Sequence, residues 1–528
     1  MGLLYGCSAL LLLVILAPRA YEAGNILVFP TEGSHWVNMD ILLQALHSQG
    51  HNITIVRSSK SWYVEDNSSC YHIYTVQVER SLDQKFLSNL VFQAIEFERG
   101  ALPWRRFLHM AVGMIGMCVD VHKMIGEYAL AILQDQELIR VLKDTKFDLV
   151  LTDPCWGTGI ILAKYLNLPL VYNVRWLTPI EGHLAIAPSP LSYIPITGSG
   201  YTDKMTFFQR VKNIFFHLIP HTQNYLVAKL AYQPICDKYL GPDNDFNDMV
   251  LDADIWLMRA DFVFEYPRPT MPNVVYIGGF QCKPPKPLPQ PFDDFVQSSG
   301  EHGVIIMSLG TFVSELPAEI TKKIAAVFAE LPQKVIWKHK GAKPDNLGNN
   351  TLVVDWMPQN DLLGHPKVKL FVAHGGTNGV QEAIYHGVPV VGLPLFFDQY
   401  DNLLRLKERG GAKLLTIQTV DKDNNFLEAI QEVLNEPSYT LSMQRLSRLH
   451  RDQPMEPLDN AVFWIEHVMR HKGANHLKAE SYRLPWYVYH SVDVIVFVAG
   501  AVLLFLLTVF FSIRCLYTVM CKRKVKRD

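Results

Sequence analysis

The densest group of residues able to do chemistry lies between Trp356 and Asn402, WMPQNDLLGHPKVKLFVAHGGTNGVQEAIYHGVPVVGLPLFFDQYDN. At its centre, His374-Gly375-Gly376-Thr377-Asn378-Gly379 separates an apolar run at 369–373 from an amphipathic segment at 380–386. The first reads as a buried strand and the second as a helix. A glycine-rich passage from strand to helix lets backbone N–H groups approach an anion, and the helix start adds partial positive charge. A diphosphate is the natural occupant. Trp356 offers a flat apolar face for a base, and Gln359 an amide for a base or ribose. Glu382 can accept from ribose hydroxyls, as acidic residues do in dinucleotide folds. Asp398 and Gln399 follow a second strand at 388–395, and a carboxylate beside an amide suits the hydroxyls of a sugar.

A second set of residues is far away in sequence. Residues 25–30 read as a strand, Gly33-Ser34-His35-Trp36 follows it, and 37–48 has helical spacing before another strand at 53–56. Residues 147–152 form a further strand ending in Asp153-Pro154, with a helix at 156–166 and a strand at 168–172 behind it. A histidine and an aspartate, each at a strand's end, suit a base and its orienter. The imidazole takes a proton from a hydroxyl, and the carboxylate fixes the tautomer and stabilises the imidazolium. Arg259, after a strand at 255–258, is a candidate contact to a phosphate or acidic sugar, or else a surface ion pair. Ser308 and Thr311 end a strand at 303–308. They are placed to reach the diphosphate or to cap the next helix.

The stretch 356–402 resembles the signature of the UDP-glycosyltransferases, and the surrounding chain resembles the vertebrate UDP-glucuronosyltransferases from end to end. That resemblance implies two facing Rossmann-like, doubly wound domains of the GT-B type. It implies Trp356 on uracil, Gln359 and Glu382 on the ribose, and His374 with the Gly376 and Asn378 region on the diphosphate. Asp398 and Gln399 would take the sugar, while His35 and Asp153 match the family's catalytic base and supporting acid. The implied reaction is inverting transfer of glucuronate from UDP-glucuronate, a co-substrate, to hydroxyls of small lipophilic acceptors, with no cofactor. A glucose, galactose or xylose donor with a lipid or steroid acceptor is the enzymatic alternative. A catalytically silent UDP-sugar-binding regulatory partner is the non-enzymatic one.

The elements that must position these residues alternate strand and helix in two halves, which implies parallel sheets and a cleft between them. The expected division is a leader at 1–23, an acceptor-binding domain at 24–281, a proline-rich linker at 282–292 and a donor-binding domain at 293–480. A transmembrane helix at 494–513 and a basic tail at 514–528 follow. The leader has a short apolar run and then small residues. The twenty uncharged residues at 494–513 would span about 30 Å as a helix, with Trp486, Tyr487 and Tyr489 before them and Arg514 and Lys522 after. Positive charge on the tail places it in the cytosol and the catalytic domains in the lumen. Lys524 and Lys526 resemble a retrieval signal for the endoplasmic reticulum.

Composition narrows the class further. The 528 residues carry 49 Lys and Arg against 51 Asp and Glu, a net charge of -2, which argues against a nucleic-acid partner. Eight cysteines without C-x-x-C spacing suit neither a disulfide framework nor zinc. The D-x-D strings at 243–245, 252–254 and 421–423 are common by chance, and no metal is expected. Gly157-Thr158-Gly159 reads as close helix–strand packing. Phe207, Phe208, Val211, Ile214, Phe215 and Leu218 recur at helical spacing, suiting a membrane surface, an acceptor mouth or a helix packed on the core. Asn67 and Asn349 begin possible glycosylation sequons. Homo- or hetero-oligomers with related transferases are compatible with this sequence.

Overall fold

The computed structural model describes residues 23–80, 104–177, 180–311, 313 and 316–525. The leader at 1–22 and the last three residues of the tail lie outside the described residues.

Strands are given in chain order. The first sheet contains β1 (Asn25–Phe29), β2 (Asn52–Ser58), β3 (His72–Val76), β4 (Leu149–Thr152) and β5 (Leu170–Val174). A hairpin of β6 (Trp176–Leu177) and β7 (Ile180–Glu181) stands apart, and β8 (Ile255–Met258) and β9 (Val274–Tyr276) return to the sheet. Its order is β3-β2-β1-β4-β5-β8-β9, with every pair parallel. The second sheet contains β10 (Val304–Ser308), β11 (Lys334–Lys338), β12 (Thr351–Val354), β13 (Val368–Ala373), β14 (Val390–Gly392) and β15 (Ala412–Leu414). Its order is β12-β11-β10-β13-β14-β15, again parallel throughout. The inner strands are buried on both faces, which is why they read as unbroken apolar runs such as VIIMS and LVLT.

Each sheet reverses direction once. In the first the chain moves outward from β1 and then restarts beside it at β4; in the second it does so between β10 and β13. At these switch points the loops leaving two adjacent carboxyl ends diverge and leave a crevice. Register brings Phe29 opposite Thr152 and Ser308 opposite Ala373. The segments that follow β1 and β4, bearing His35 and Asp153, are therefore neighbours, as are those that follow β10 and β13, bearing Thr311 and His374.

Three features depart from the sequence expectation. His35 belongs to the helix Ser34–Ser48 and not to a loop. Gly33 caps that helix at φ 72°, a backbone angle glycine adopts without a Cβ penalty. Regular structure returns at Gln290, inside the proline-rich stretch, because prolines in a first helical turn sacrifice no hydrogen bond. Finally, the helix Pro457–His471, expected to close the second lobe, packs on the first. Its stripe of Ala461, Val462, Ile465, Val468 and Met469 is buried with Ile26, Leu42 and Ile255. His51 and Glu466 tie the helix further at 3.2 Å. Gly159 does pack as expected, since a Cβ there would come within 2.5 Å of the Thr152 hydroxyl oxygen.

A separate unit, 478–528, contains the helix Val492–Val525. Its segment Val492–Met520 has a mean hydropathy of 3.0, is long and apolar enough to span a bilayer, and includes the expected 494–513.

The returning helix yields a stability prediction. Ile465→Ala should lower the unfolding free energy of the purified full chain by about 2–5 kcal/mol through loss of buried area and an unfilled cavity. A denaturant midpoint equal to wild type would show that this helix is not part of the first lobe's core.

Candidate active site

At the first switch point the His35 Nδ1 lies 2.6 Å from the Asp153 Oδ2. Asp153 is fully enclosed, and its other oxygen accepts from the Cys155 amide at 3.0 Å. Arg259 completes the group, with Nη2 donating to Asp153 Oδ2 at 3.2 Å. Burial alone would raise the Asp153 carboxyl. The charges of His35 and Arg259, with the hydrogen bonds from His35 and the Cys155 amide, outweigh it and hold the group below its ordinary range. Nη2 of Arg259 also lies 3.3 Å from His35 Nδ1, so that nitrogen is engaged inside the group. Arg259, anticipated as a donor contact, is instead buried inside the first lobe; burial lowers its own value. Its cation also makes the cluster of His35, Asp153 and Cys155 a poor cation site, although the three ligand atoms lie within 4.8 Å of one another.

Beside the carboxyl ends of β1 and β4 lies a cavity of about 40 Å³, partly open to solvent. Phe29, Met124, Ile125, Tyr128 and Trp156 line it, with Glu32 among them. Glu32 is occupied, taking the Ser61 hydroxyl and the Trp62 and Tyr63 amides. Met124, Ile125 and Tyr128 come from the helix Trp104–Gln134, which no motif announced.

At the second switch point the His374 ring is wedged between Gly310 and Gly376. A Cβ on either would approach Nε2 to 2.6 or 2.5 Å. Gly310 and Gly375 also have φ of 86° and 92°, so both conformation and space demand glycine there. Burial pushes the His374 imidazole down to about 4, leaving it neutral at physiological pH. Gly376 begins the helix Thr377–His386 and has no side chain with which to cap it, so the first-turn amides face the crevice without a side-chain acceptor. Ser308 is buried, its hydroxyl taking the Gly310 amide at 3.4 Å. Lys338 lies alongside, with Nζ 3.1 Å from the Gly310 carbonyl and its value lowered by burial.

Trp356 stands 65 % exposed on the loop after β12. Gln359 Nε2 donates to Glu382 Oε2 at 2.5 Å, and burial pushes the Glu382 carboxyl up to about 7. Asp398 Oδ2 accepts from Asn402 at 2.9 Å and lies 3.5 Å from the Thr377 hydroxyl. The Gln399 oxygen accepts the Leu395 and Phe396 amides and shapes the loop.

Two of the anticipated donor residues reach the opposite lobe. Asn378 forms a reciprocal amide pair with Asn38 of the His35 helix, at 3.1 and 3.2 Å. Thr311 bonds the Tyr63 hydroxyl. Arg175, after β5, reaches the Asn402 oxygen at 3.2 Å and lies 3.9 Å from Asp398. Sequence reasoning missed Asn38, Arg175 and Lys338. Only Asn402 had a signal, four residues from Asp398 on one helical face.

Two parallel α/β lobes presenting their switch points to each other across a cleft define a GT-B glycosyltransferase. The same fold appears in a UDP-glucosyltransferase from Polygonum tinctorium, with TM-score 0.56, 14% identity and coverage of 85% of this chain and 99% of that one. It appears too in the glycosyltransferase SnogD from Streptomyces nogalater, with TM-score 0.54, 15% identity and coverage of 84% and 99%. A family model described as UDP-glucoronosyl and UDP-glucosyl transferase matches residues 24–527, and the chain belongs to that family. It is 40% identical to UDP-glucuronosyltransferase 2B13 of Oryctolagus cuniculus over 538 residues, covering 99% of both chains. Identity to UDP-glucuronosyltransferase 2A2 of Homo sapiens is also 40%, over 90% of this chain and 89% of that one.

The Glu382 carboxyl sets a pH dependence. Its folded value of about 7 lies above the ordinary 4.5, so between those values the folded protein holds a proton that the unfolded chain has released. The associated stability is complete below about 4.5 and is lost as pH rises through about 7. Glu382→Gln should therefore flatten the fall in denaturant midpoint across that interval relative to wild type. Parallel pH profiles for the two proteins would refute the assignment.

Proposed function

We propose that this enzyme transfers glucuronate from UDP-glucuronate to a hydroxyl of a small lipophilic acceptor, with inversion at the anomeric carbon and His35 as general base. The observation that carries the reading is the 2.6 Å contact between His35 and Asp153, which commits Nδ1 and leaves Nε2 to take a proton. In a single displacement the acceptor oxygen loses its proton to Nε2 and bonds to the anomeric carbon as the bond to UDP breaks. Asp153 stabilises the imidazolium as it forms. The leaving diphosphate gains charge, and the amides from Gly376 to Asn378, His374 as a neutral donor and the helix dipole meet it.

On this reading Trp356 stacks on uracil, Gln359 and Glu382 hold the ribose, and Asp398 and Gln399 position the sugar. Ser308 shapes the turn beneath the diphosphate. The apolar side chains that line the small cavity beside β1 and β4 support a lipophilic acceptor by their chemistry. Naming of the full-length relatives as UDP-glucuronosyltransferases supports the choice of donor. Arg259 serves through Asp153, as a positioning residue. The lobes are lumenal and the tail cytosolic in the membrane of the endoplasmic reticulum, in keeping with the basic residues that follow the apolar helix.

His35→Ala should lower transfer by roughly 10²–10⁴-fold while UDP binding, followed by calorimetry, stays as in wild type. Asp153→Asn, which removes the ionised orienter, should reduce kcat more than it changes the donor KM. Wild-type turnover in His35→Ala with any UDP-sugar and phenolic acceptor would remove His35 from the mechanism.

A further inference from the structure

Three histidines gather where the first unit of the chain ends. His467 and His471 stand four residues apart on the helix Pro457–His471 and so share one face. His476 follows in the short helical turn Asn475–Leu477. Lys472 and Gly473 reverse the chain between them, at φ of 55° and 124°. The ring centroids of His467 and His471 are 4.5 Å apart, and those of His467 and His476 are 5.8 Å apart. All three side chains, with Asn475, line one pocket of about 390 Å³ that opens to solvent. None of them has a part in the chemistry of the cleft.

Neutral imidazoles packed together present lone pairs that need a partner. His467 Nε2 is shut off from solvent and has no hydrogen-bond partner, a state that a buried nitrogen normally resolves with a water or an ion. Burial, and then the charges of His471, His476 and Arg470, hold the His467 imidazole below its ordinary range. That favours the neutral form a metal requires. The neighbouring cations are drawn aside, Arg470 to Glu466 at 3.3 Å and Lys472 to Asp148 at 2.5 Å. Imidazole nitrogens about 2 Å from a tetrahedral ion place their ring centroids roughly 5 Å apart, between the two separations seen here. The ligand atoms are less tightly gathered than those of His35, Asp153 and Cys155. His471 and His476 are exposed, however, so their rings turn onto one point by side-chain rotation without disturbing the core. An all-nitrogen set selects a borderline transition ion over calcium or magnesium, which take oxygen.

We infer that His467, His471 and His476 form a zinc site, with water in the fourth position. Cysteine spacing and the D-x-D strings gave no such expectation, since neither involves histidine. Two ligands come from a helix whose inner stripe is buried with Ile26 and Ile255, and the third from beyond the turn. The ion therefore ties the last residues of the first unit to a helix fixed in its core. The same turn already has one tie, the Ala474 amide donating to Asp254 Oδ1 at 2.9 Å. An ion that binds only the folded turn stabilises it according to its free concentration.

The test uses the full-length protein in detergent micelles, purified without a polyhistidine tag and stripped with a chelator. After equilibration with zinc chloride and dialysis, elemental analysis should find about one zinc per chain. The double variant His471→Ala with His476→Ala changes two exposed side chains and should lose that zinc, with affinity down by at least roughly ten-fold. Retained UDP binding shows that the variant is folded. Cobalt in place of zinc should give the visible bands of a tetrahedral site in wild type and not in the double variant. Zinc held equally by the double variant, or not held by wild type, overturns the proposal. So does zinc lost only in His35→Ala, which would assign the ion to the cluster with Asp153 and Cys155.

Discussion

The chemistry of this enzyme is divided between two lobes, and everything else depends on their staying in register. The group that holds them is ionic and buried. Arg175 of the first lobe lies 2.6 Å from Glu265, and Glu265 lies 3.2 Å from Arg405 of the second. Asn402 takes a hydrogen bond from each arginine, at 3.2 and 2.9 Å. Charges removed from water cost several kcal/mol each unless they are paired with good geometry. Burial would raise the Glu265 carboxyl, yet the two arginines hold it down to about 2. Separating the lobes would part Arg405 from Glu265, so the network opposes that separation. Further hydrogen bonds refine the arrangement: the Asn38–Asn378 pair, Gln281 with Gln381 at 2.9 Å, and the Gly198 and Gly200 amides on the Asp401 carboxyl.

Several residues in the cleft therefore serve two ends. Asn378 lies in the first turn of the helix whose amides are proposed to meet the diphosphate, and it also grips the helix that carries His35. Asp398, proposed to hold the sugar, is steadied by Asn402, which Arg175 engages in turn. Glu32 faces the acceptor cavity, but its carboxylate is used to pin the loop that sends Tyr63 across to Thr311. On the proposed reading, contact with substrate and contact between lobes share the same side chains, so the register of the lobes also sets the positions of the site residues.

The two histidines show how environment assigns different roles to one side chain. His35 is partly open, lies beside the enclosed Asp153 carboxylate and is proposed as the base. His374 is enclosed by Gly310 and Gly376, is neutral because burial excludes its charged form, and suits hydrogen bonding to a charge without titrating against it.

Much of this was legible in the sequence, for physical reasons. Strands of parallel sheets covered on both faces must be continuous apolar runs, so strand positions, the paired α/β halves and the terminal apolar span could be read from hydrophobicity alone. Glycines with positive φ or no room for a Cβ marked the turn at 374–376, and the end of each strand marked where His35 and Asp153 would emerge. Side chains that act across the fold left no such trace. Arg259 looked like a donor contact because sequence gives its strand but not the carboxylate next to it. The contacts of Asn378 and Thr311 across the cleft left no trace because their partners, Asn38 and Tyr63, lie hundreds of residues away. The helix Pro457–His471 was assigned to the nearer lobe because its apolar stripe does not say which core it fills. Local backbone geometry and burial are properties of a segment and can be read from it. The pairing of charges and amides between segments is settled only when both lobes are folded and facing, and in this protein that pairing determines where the chemistry happens.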